Sequence, residues 1–305
     1  MNDSLFRRLA RGTIRLANWL IDGAVLAAVV LIVCFTAFTV MDNNRVMQQA
    51  DESAFETYKP VGEGASFEEL QAMNPDVLGW LTLYGTGIDY PVVQGDDNEK
   101  YINTNAAGEF ALSGALFLDY RNASDFSDAS TIVFGHHMED SLMFGDLDLY
   151  SDAAYVEKHA TGNLFYGGVN HGVEVLGYLS TDAYDQVVYS TTVGEEPAVD
   201  EFVSYLRGKA KVWRQDPSEG DRLLILSTCG KGTNDRHIVV ARICDDTFED
   251  PYPDEQVSRS LAGTAEGVRI AVQIGIGLLV FLLIAWVVGG PRGRKKGAGD
   301  VGREL

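Results

Sequence analysis

Cys229 ends an apolar run, Leu223-Leu224-Ile225-Leu226-Ser227-Thr228, and is followed by Gly230-Lys231-Gly232. A strand holds its last residue rigidly, and a glycine-rich turn beyond it leaves a sulfur accessible, which suits a nucleophile. His136 stands just past a second apolar run, Ile132-Val133-Phe134, with Gly135 allowing close approach. Arg236 opens the segment after the cysteine turn, and the stretch from Met138 to Leu147 follows the histidines as a loop able to wall a cleft. A free thiol with a pKa of about 8.5 is only about 3% thiolate at pH 7, so cysteine catalysis needs a proton acceptor. A histidine can take that proton and return it to a leaving amine. An arginine can counter the charge that builds on a carbonyl oxygen during acyl transfer. Cys229, His136 and Arg236 thus supply nucleophile, base and clamp, although their spacing alone leaves open whether they meet.

Plainer readings exist for each group. Cys229 and Cys244 are the two cysteines outside the apolar segments, and an exported pair can form a disulfide. Cys244 has no glycine turn beside it and reads as a core or rim thiol. His136-His137 is adjacent in sequence, so the two side chains point apart on a strand, and no acidic or cysteine ligand stands at zinc-like spacing. No metal and no cofactor is expected. His159, His171 and His237 read as surface or strand polar residues. The acid pairs Asp96-Asp97 and Asp245-Asp246, and the Asp125–Asp128 stretch, lack the ligand pattern of a calcium loop and read as solvated turns.

Short strands must position these groups. The pattern predicts strands at Trp80–Tyr84, Ile88–Gln94, Ala115–Leu118, Thr131–Phe134, Val173–Thr181, Gln186–Ser190, Arg222–Ser227 and His237–Ile243. Pro91 suggests an edge or a bulge in the second of them. Short helices are expected at Arg45–Ala54, Ser66–Met73 and Asp200–Lys211, the last with Phe202, Val203 and Leu206 on one side. About eight short strands without regular crossover helices favour a closed barrel over a βαβ sheet.

Two stretches stand apart. Residues 23–41 carry no charge and are long enough to cross a bilayer core, and residues 270–290 are interrupted only by Gln273. Arg7, Arg8, Arg11 and Arg15 precede the first, and Arg292, Arg294, Lys295, Lys296 and Arg303 follow the second. Positive flanks stay inside, so both termini are expected in the cytoplasm and the middle outside. A cleaved signal peptide is the competing reading of the first stretch, and a buried core helix that of the second. The expected organisation is a basic tail (1–22), a transmembrane helix (23–41), a stalk with a helical segment (42–73), a catalytic domain (74–247), a linker (248–269), a transmembrane helix (270–290) and a basic tail (291–305). The 305-residue chain carries a formal net charge of −20, which argues against a nucleic-acid partner.

The segment Ile225-Leu226-Ser227-Thr228-Cys229, with Arg236 seven residues on, resembles the nucleophile and arginine motifs of the sortases. Phe134-Gly135-His136-His137-Met138 followed by Met143-Phe144-Gly145-Asp146-Leu147 resembles the histidine segment of the class B type. Asn74-Pro75-Asp76-Val77-Leu78-Gly79-Trp80-Leu81, Ile88-Asp89-Tyr90-Pro91-Val92-Val93-Gln94 and Gly114–Asn122 resemble its opening strands. The resemblance covers roughly residues 70 to 245. It implies a mostly β fold, an eight-stranded sortase β-barrel with N-terminal and short connecting helices, here flanked by two transmembrane helices. It implies a cysteine transpeptidase, a thiol protease by hydrolase class, which cuts a C-terminal sorting signal of a secreted protein or pilin. The acyl group passes through a thioester on Cys229 to an amine of a peptidoglycan precursor or a pilin lysine. Within that pattern His136, rather than His137, is the catalytic histidine, and His137, Met138, Ser227 and Thr228 are expected to line the cleft. A monomer in a Gram-positive-type cell membrane is expected, with the catalytic domain outside.

Two departures stand out. Ile225 replaces the first threonine of the nucleophile motif, which points to an altered cleft floor. A second anchor resembles the pilin-polymerising class instead, whose lid is not evident in residues 42–73, where Asp51 and Phe55 are the residues available to form one. The same residues would serve a plain cysteine peptidase, and a non-catalytic wall-binding or sensor module is the remaining alternative.

Overall fold

The computed structural model describes residues 3–50, 54–60, 65–194, 198–229, 234–252 and 275. The chain divides into two compact units, Met1–Asn43 with Ser260–Leu305, and Asn44–Arg259.

Helix α1 (Asp3–Ala50) is unbroken. The short helix expected at Arg45–Ala54 is therefore its continuation through Ala50, since no proline or glycine follows Gly23 to stop it. Within it, Ala10–Met47 has a mean hydropathy of 2.7 and is, among the described residues, the one helix long and apolar enough to cross a membrane. Leu31, Phe35 and Phe38 on it are exposed. The second expected span lies outside the described residues, apart from Gly275, which is helical.

The second unit is a barrel. Its strands are β1 (Val77–Leu83), β2 (Asp89–Val93), β3 (Leu116–Leu118), β4 (Ser130–Phe134), β5 (Thr161–Tyr166), β6 (Val169–Asp182), β7 (Val212–Trp213), β8 (Arg222–Cys229) and β9 (Asp235–Cys244). They run in the order β5-β1-β2-β3-β4-β8-β9-β6, and β6 pairs back onto β5, so eight strands close a ring. The two-residue β7 hangs on the outside of β6. The β2–β3 and β4–β8 pairs are parallel and the remaining ones antiparallel. Helices α2 (Ala65–Met73), α3 (Ala153–Lys158) and α4 (Val199–Lys209) complete the unit.

The central strands are buried on both faces, and for that reason read as continuous apolar runs. On β8, Leu224 and Leu226 join the interior cluster with Val133, Tyr178, Val239 and Ala241. Leu223 and Ile225 face outward into a second cluster with Phe202 and Leu206 of α4. Burying each large apolar side chain of α4 contributes roughly 1.5–3 kcal/mol. Its ends suit the helix dipole, with Asp200 and Glu201 in the first turn and Arg207 and Lys209 in the last. A third cluster packs Phe55, Phe67 and Leu70 against Trp80. Phe55 is thus a packing residue in that cluster, and Asp51 lies outside the described residues.

Three expectations need correction. Strand β5 was not legible and forms between β1 and β6. Residues Gln186–Ser190 form turns instead of a strand, because the Asp185 side chain captures the amides of Val187 and Val188, both at 3.1 Å. Pro91 sits in an interior strand and not at an edge, beside a register shift between Val77 and Gly79 of β1; pairing with β3 begins only at Val92, so the missing N–H at residue 91 leaves no gap in that ladder.

Candidate active site

Strand register brings the sequence motifs to one end of the barrel. Cys229, the last residue of β8, pairs directly with Arg236 on β9. On the other side of β8, Phe134 of β4 pairs with Ser227, and the Gly135 N–H donates to the Ser227 carbonyl at 3.2 Å. His136 lies two residues past the end of β4, as Cys229 lies two residues past Ser227 on β8. Neighbouring strands lie about 4.8 Å apart, so Cys229 and Arg236 occupy adjacent strand positions. By alternation Arg236 lies on the same face of β9 as Ile238, the outer face of the sheet.

Gly135 is required by packing: a Cβ there would meet Leu116 Cδ2 at 2.5 Å and Phe144 Cδ2 at 2.7 Å. His136 is half-buried and its Nε2 lies 2.7 Å from the Ile102 carbonyl. A carbonyl only accepts, so Nε2 carries the proton and Nδ1 is the basic nitrogen. Arg236 is half-buried and donates from Nη1 to the Asp235 carbonyl at 2.9 Å.

The four cleft candidates separate. Ser227 is buried and its Oγ lies 2.9 Å from the Tyr189 hydroxyl, while the Tyr189 ring stacks on Phe134 at 6.0 Å. Thr228 is buried on the inner face, and among the described residues its Oγ1 has no hydrogen-bond partner. Met138 packs against the interior cluster. His137 is exposed, and its ring lies 5.9 Å from that of His237.

His237, read from sequence as a strand polar residue, pairs with Thr228, and its Nδ1 lies 2.5 Å from the Tyr178 hydroxyl. Burial, with the carboxylates of Asp148 and Asp235 nearby, pushes Tyr178 up to about 12, so the phenol stays protonated. Tyr189 and Tyr178 were missed because each sits far in sequence from the motif it supports. Beside Tyr189 lies a groove of about 510 Å³ lined by Arg121, Tyr184, Asp185 and Gln186.

The loop after the histidines is strained. Asp140, Ser141 and Met143 adopt φ of 58°, 61° and 53°. Each left-handed non-glycine residue costs about 1–2 kcal/mol, which surrounding contacts must offset. The Phe144 N–H donates to the His136 carbonyl at 2.9 Å, and His137 forms an isolated bridge with Met143.

The alternative of a Cys229–Cys244 disulfide does not fit the strand. A disulfide between Cys229 and Cys244 is excluded by β9: Arg236, the partner of Cys229, and Cys244 lie at opposite ends of the strand. That separation is roughly 26 Å along the strand, against at most about 7 Å between bridged Cα atoms. Cys244 is a free thiol, raised by burial. Ile225, which stands in place of the motif's first threonine, is fully buried in the second cluster between Ile132 and Val240. The acidic turns are local: Asp97 accepts from the amides of Glu99 and Lys100, and Asp128 from Asn122 and Ala123.

No family model matches the chain. It is 35% identical over 200 residues to sortase B of Listeria monocytogenes, covering 63% of this chain and 77% of that protein. Among solved structures it resembles sortase B from the type II pilus of Streptococcus pneumoniae, with a TM-score of 0.52 and 41% identity, covering 59% of this chain and 99% of that one. It also resembles a class B sortase of Streptococcus pyogenes involved in pilus biogenesis, with a TM-score of 0.55 and 34% identity over 60% and 100% of the two chains. The chain belongs to the sortases, a family of cysteine transpeptidases, and within it to class B.

Proposed function

We propose that this chain is a membrane-anchored transpeptidase that cuts a C-terminal sorting signal and joins the cut protein to an amine. The observation that supports this most is the register pairing Cys229 with Arg236, with His136 following the strand on the other side of β8.

In this reading His136 Nδ1 takes the thiol proton of Cys229, and the thiolate attacks the scissile carbonyl. Arg236 neutralises the oxyanion, a contribution worth roughly 3–4 kcal/mol in the transition state. The carbon–nitrogen bond breaks, the leaving amine takes the proton back from His136, and a thioester remains. An acceptor amine, from a peptidoglycan precursor or a pilin lysine, then attacks the thioester and releases Cys229. The groove beside Tyr189 is the path we assign to the sorting peptide, with Ser227 beneath it.

The domain limits follow the sequence: a catalytic domain at 74–247 outside a Gram-positive-type membrane, spans at 23–41 and 270–290, and basic tails inside. The test is a panel of sorting peptides incubated with the full chain in detergent micelles, read by mass spectrometry. A thioester adduct on Cys229, absent from Cys229→Ala, is expected, and added amine should convert hydrolysed product into amide. Adduct formation by Cys229→Ala would end the proposal, and product that stays hydrolysed at saturating amine would make the chain a peptidase.

A further inference from the structure

The end of α1 and the histidine loop meet at one hydroxyl. Tyr90, on β2, is buried, and its Oη donates to the Ala50 carbonyl at 2.8 Å. The same oxygen accepts the Met143 N–H at 3.1 Å. Ala50 closes α1, so its carbonyl is one of those a helix end leaves without an intrahelical partner. Met143 is one of the left-handed residues of the loop and is bridged to His137.

The neighbouring hairpin end supports the loop as well. The Gly87 N–H donates to Asp146 Oδ2 at 2.8 Å, and a Cβ on Gly87 would fall 1.9 Å from the Ser141 carbonyl oxygen. The loop is thus held on one side by the β1–β2 turn, and at Met143 by a tyrosine that also holds the anchor helix. Ala50, Met143 and Leu142 belong to one buried cluster, with Met47 packed against it.

We propose that Tyr90 is a positioning residue: its hydroxyl locks the histidine loop to the end of α1, so residues 47–50 of the anchor helix are part of the catalytic apparatus. This rests on the reading of His136 as the proton carrier. Without the hydroxyl, the Met143 N–H and the Ala50 carbonyl both lose a buried partner. The loop can then leave its strained conformation, and the backbone carbonyl of His136, tied to the Phe144 N–H, moves with it.

The experiment compares wild type, Tyr90→Phe and Tyr166→Phe as full chains in detergent micelles. Tyr166 accepts from Arg222, at the end of β8 remote from Cys229, so it controls for loss of a tyrosine hydroxyl elsewhere. Tyr90→Phe should lower kcat for acyl-enzyme formation about tenfold, with KM within about twofold, because misplacement affects the chemical step more than binding. Amide exchange over residues 138–145 should rise in that variant, and both readouts should stay at wild-type values in Tyr166→Phe. Unchanged kcat, unchanged exchange, or an equal effect of Tyr166→Phe would overturn the proposal. If the wild type formed no acyl-enzyme, the function proposed above would fall, while the exchange measurement would still decide whether Tyr90 holds the loop.

Discussion

Asp185 is the carboxylate whose removal says most about how the site is held. It ends the turn after β6, where it accepts from the Thr181 hydroxyl at 2.7 Å, from the amides of Val187 and Val188, and from the Tyr205 hydroxyl, and pairs with the Lys209 ammonium of α4. Thr181 pairs with Arg236 across β6 and β9, and the turn that Asp185 shapes delivers Tyr189 to Ser227. Burial opposes ionisation, but Lys209, Thr181 and the Val188 amide outweigh it and hold the carboxyl at about 2, against an ordinary 3.8. At 1.36 kcal/mol per pH unit, that gap corresponds to about 2 kcal/mol of stability at neutral pH. The folded carboxyl is the more acidic one, so this stabilisation is complete above about pH 5 and is lost as the pH falls towards 2. Urea unfolding of the wild type and Asp185→Asn, followed by circular dichroism, should show a gap of about 2 kcal/mol at pH 6 that shrinks by about 1 kcal/mol at pH 3. Equal stability at pH 6, or a gap that stays constant down to pH 3, would refute the reasoning.

Three further outcomes are expected. His136→Ala should lower the rate of thioester formation by about 10²–10⁴-fold, while His137→Ala should retain much of the activity, as read by stopped-assay mass spectrometry with a sorting peptide. Arg236→Lys should reduce kcat/KM by about 10²–10³-fold, because an ammonium does not reproduce the guanidinium fork. Its thermal midpoint should stay near that of the wild type, since Arg236 is half-buried at a strand end. Cys244→Ser should leave acyl-enzyme formation unchanged and remove one slow-reacting thiol from a thiol titration, as its burial-raised pKa requires.

The local signals in the chain were strong where a segment's own residues decide its structure. The apolar run before Cys229, the glycine ahead of His136 and the amphipathic stripe of Phe202, Val203 and Leu206 each specify an element without reference to distant residues. The resemblance to class B sortases rested on the same short segments, and the strand order and relatives agree with it. Where competing local chemistry was at work, the pattern misled: Gln186–Ser190 looked like a strand until Asp185 took its amides. Strand β5, with Gly162 and Asn163 inside it, has a weak intrinsic preference and exists because β1 and β6 flank it.

From the amino-acid order alone came the strand that ends at Cys229, the histidine after Gly135 and the apolar helix at the N-terminus, because each depends on residues within a few positions of one another. Only the tertiary structure decided which strands adjoin β8, that Arg236 lies opposite Cys229, that Cys244 is a whole strand away, and that Tyr90 joins α1 to Met143. Those relations join residues far apart in the chain. They are set by register, which two-sided burial of β8 and β9 enforces, since a one-residue slip would turn every side chain to the opposite face.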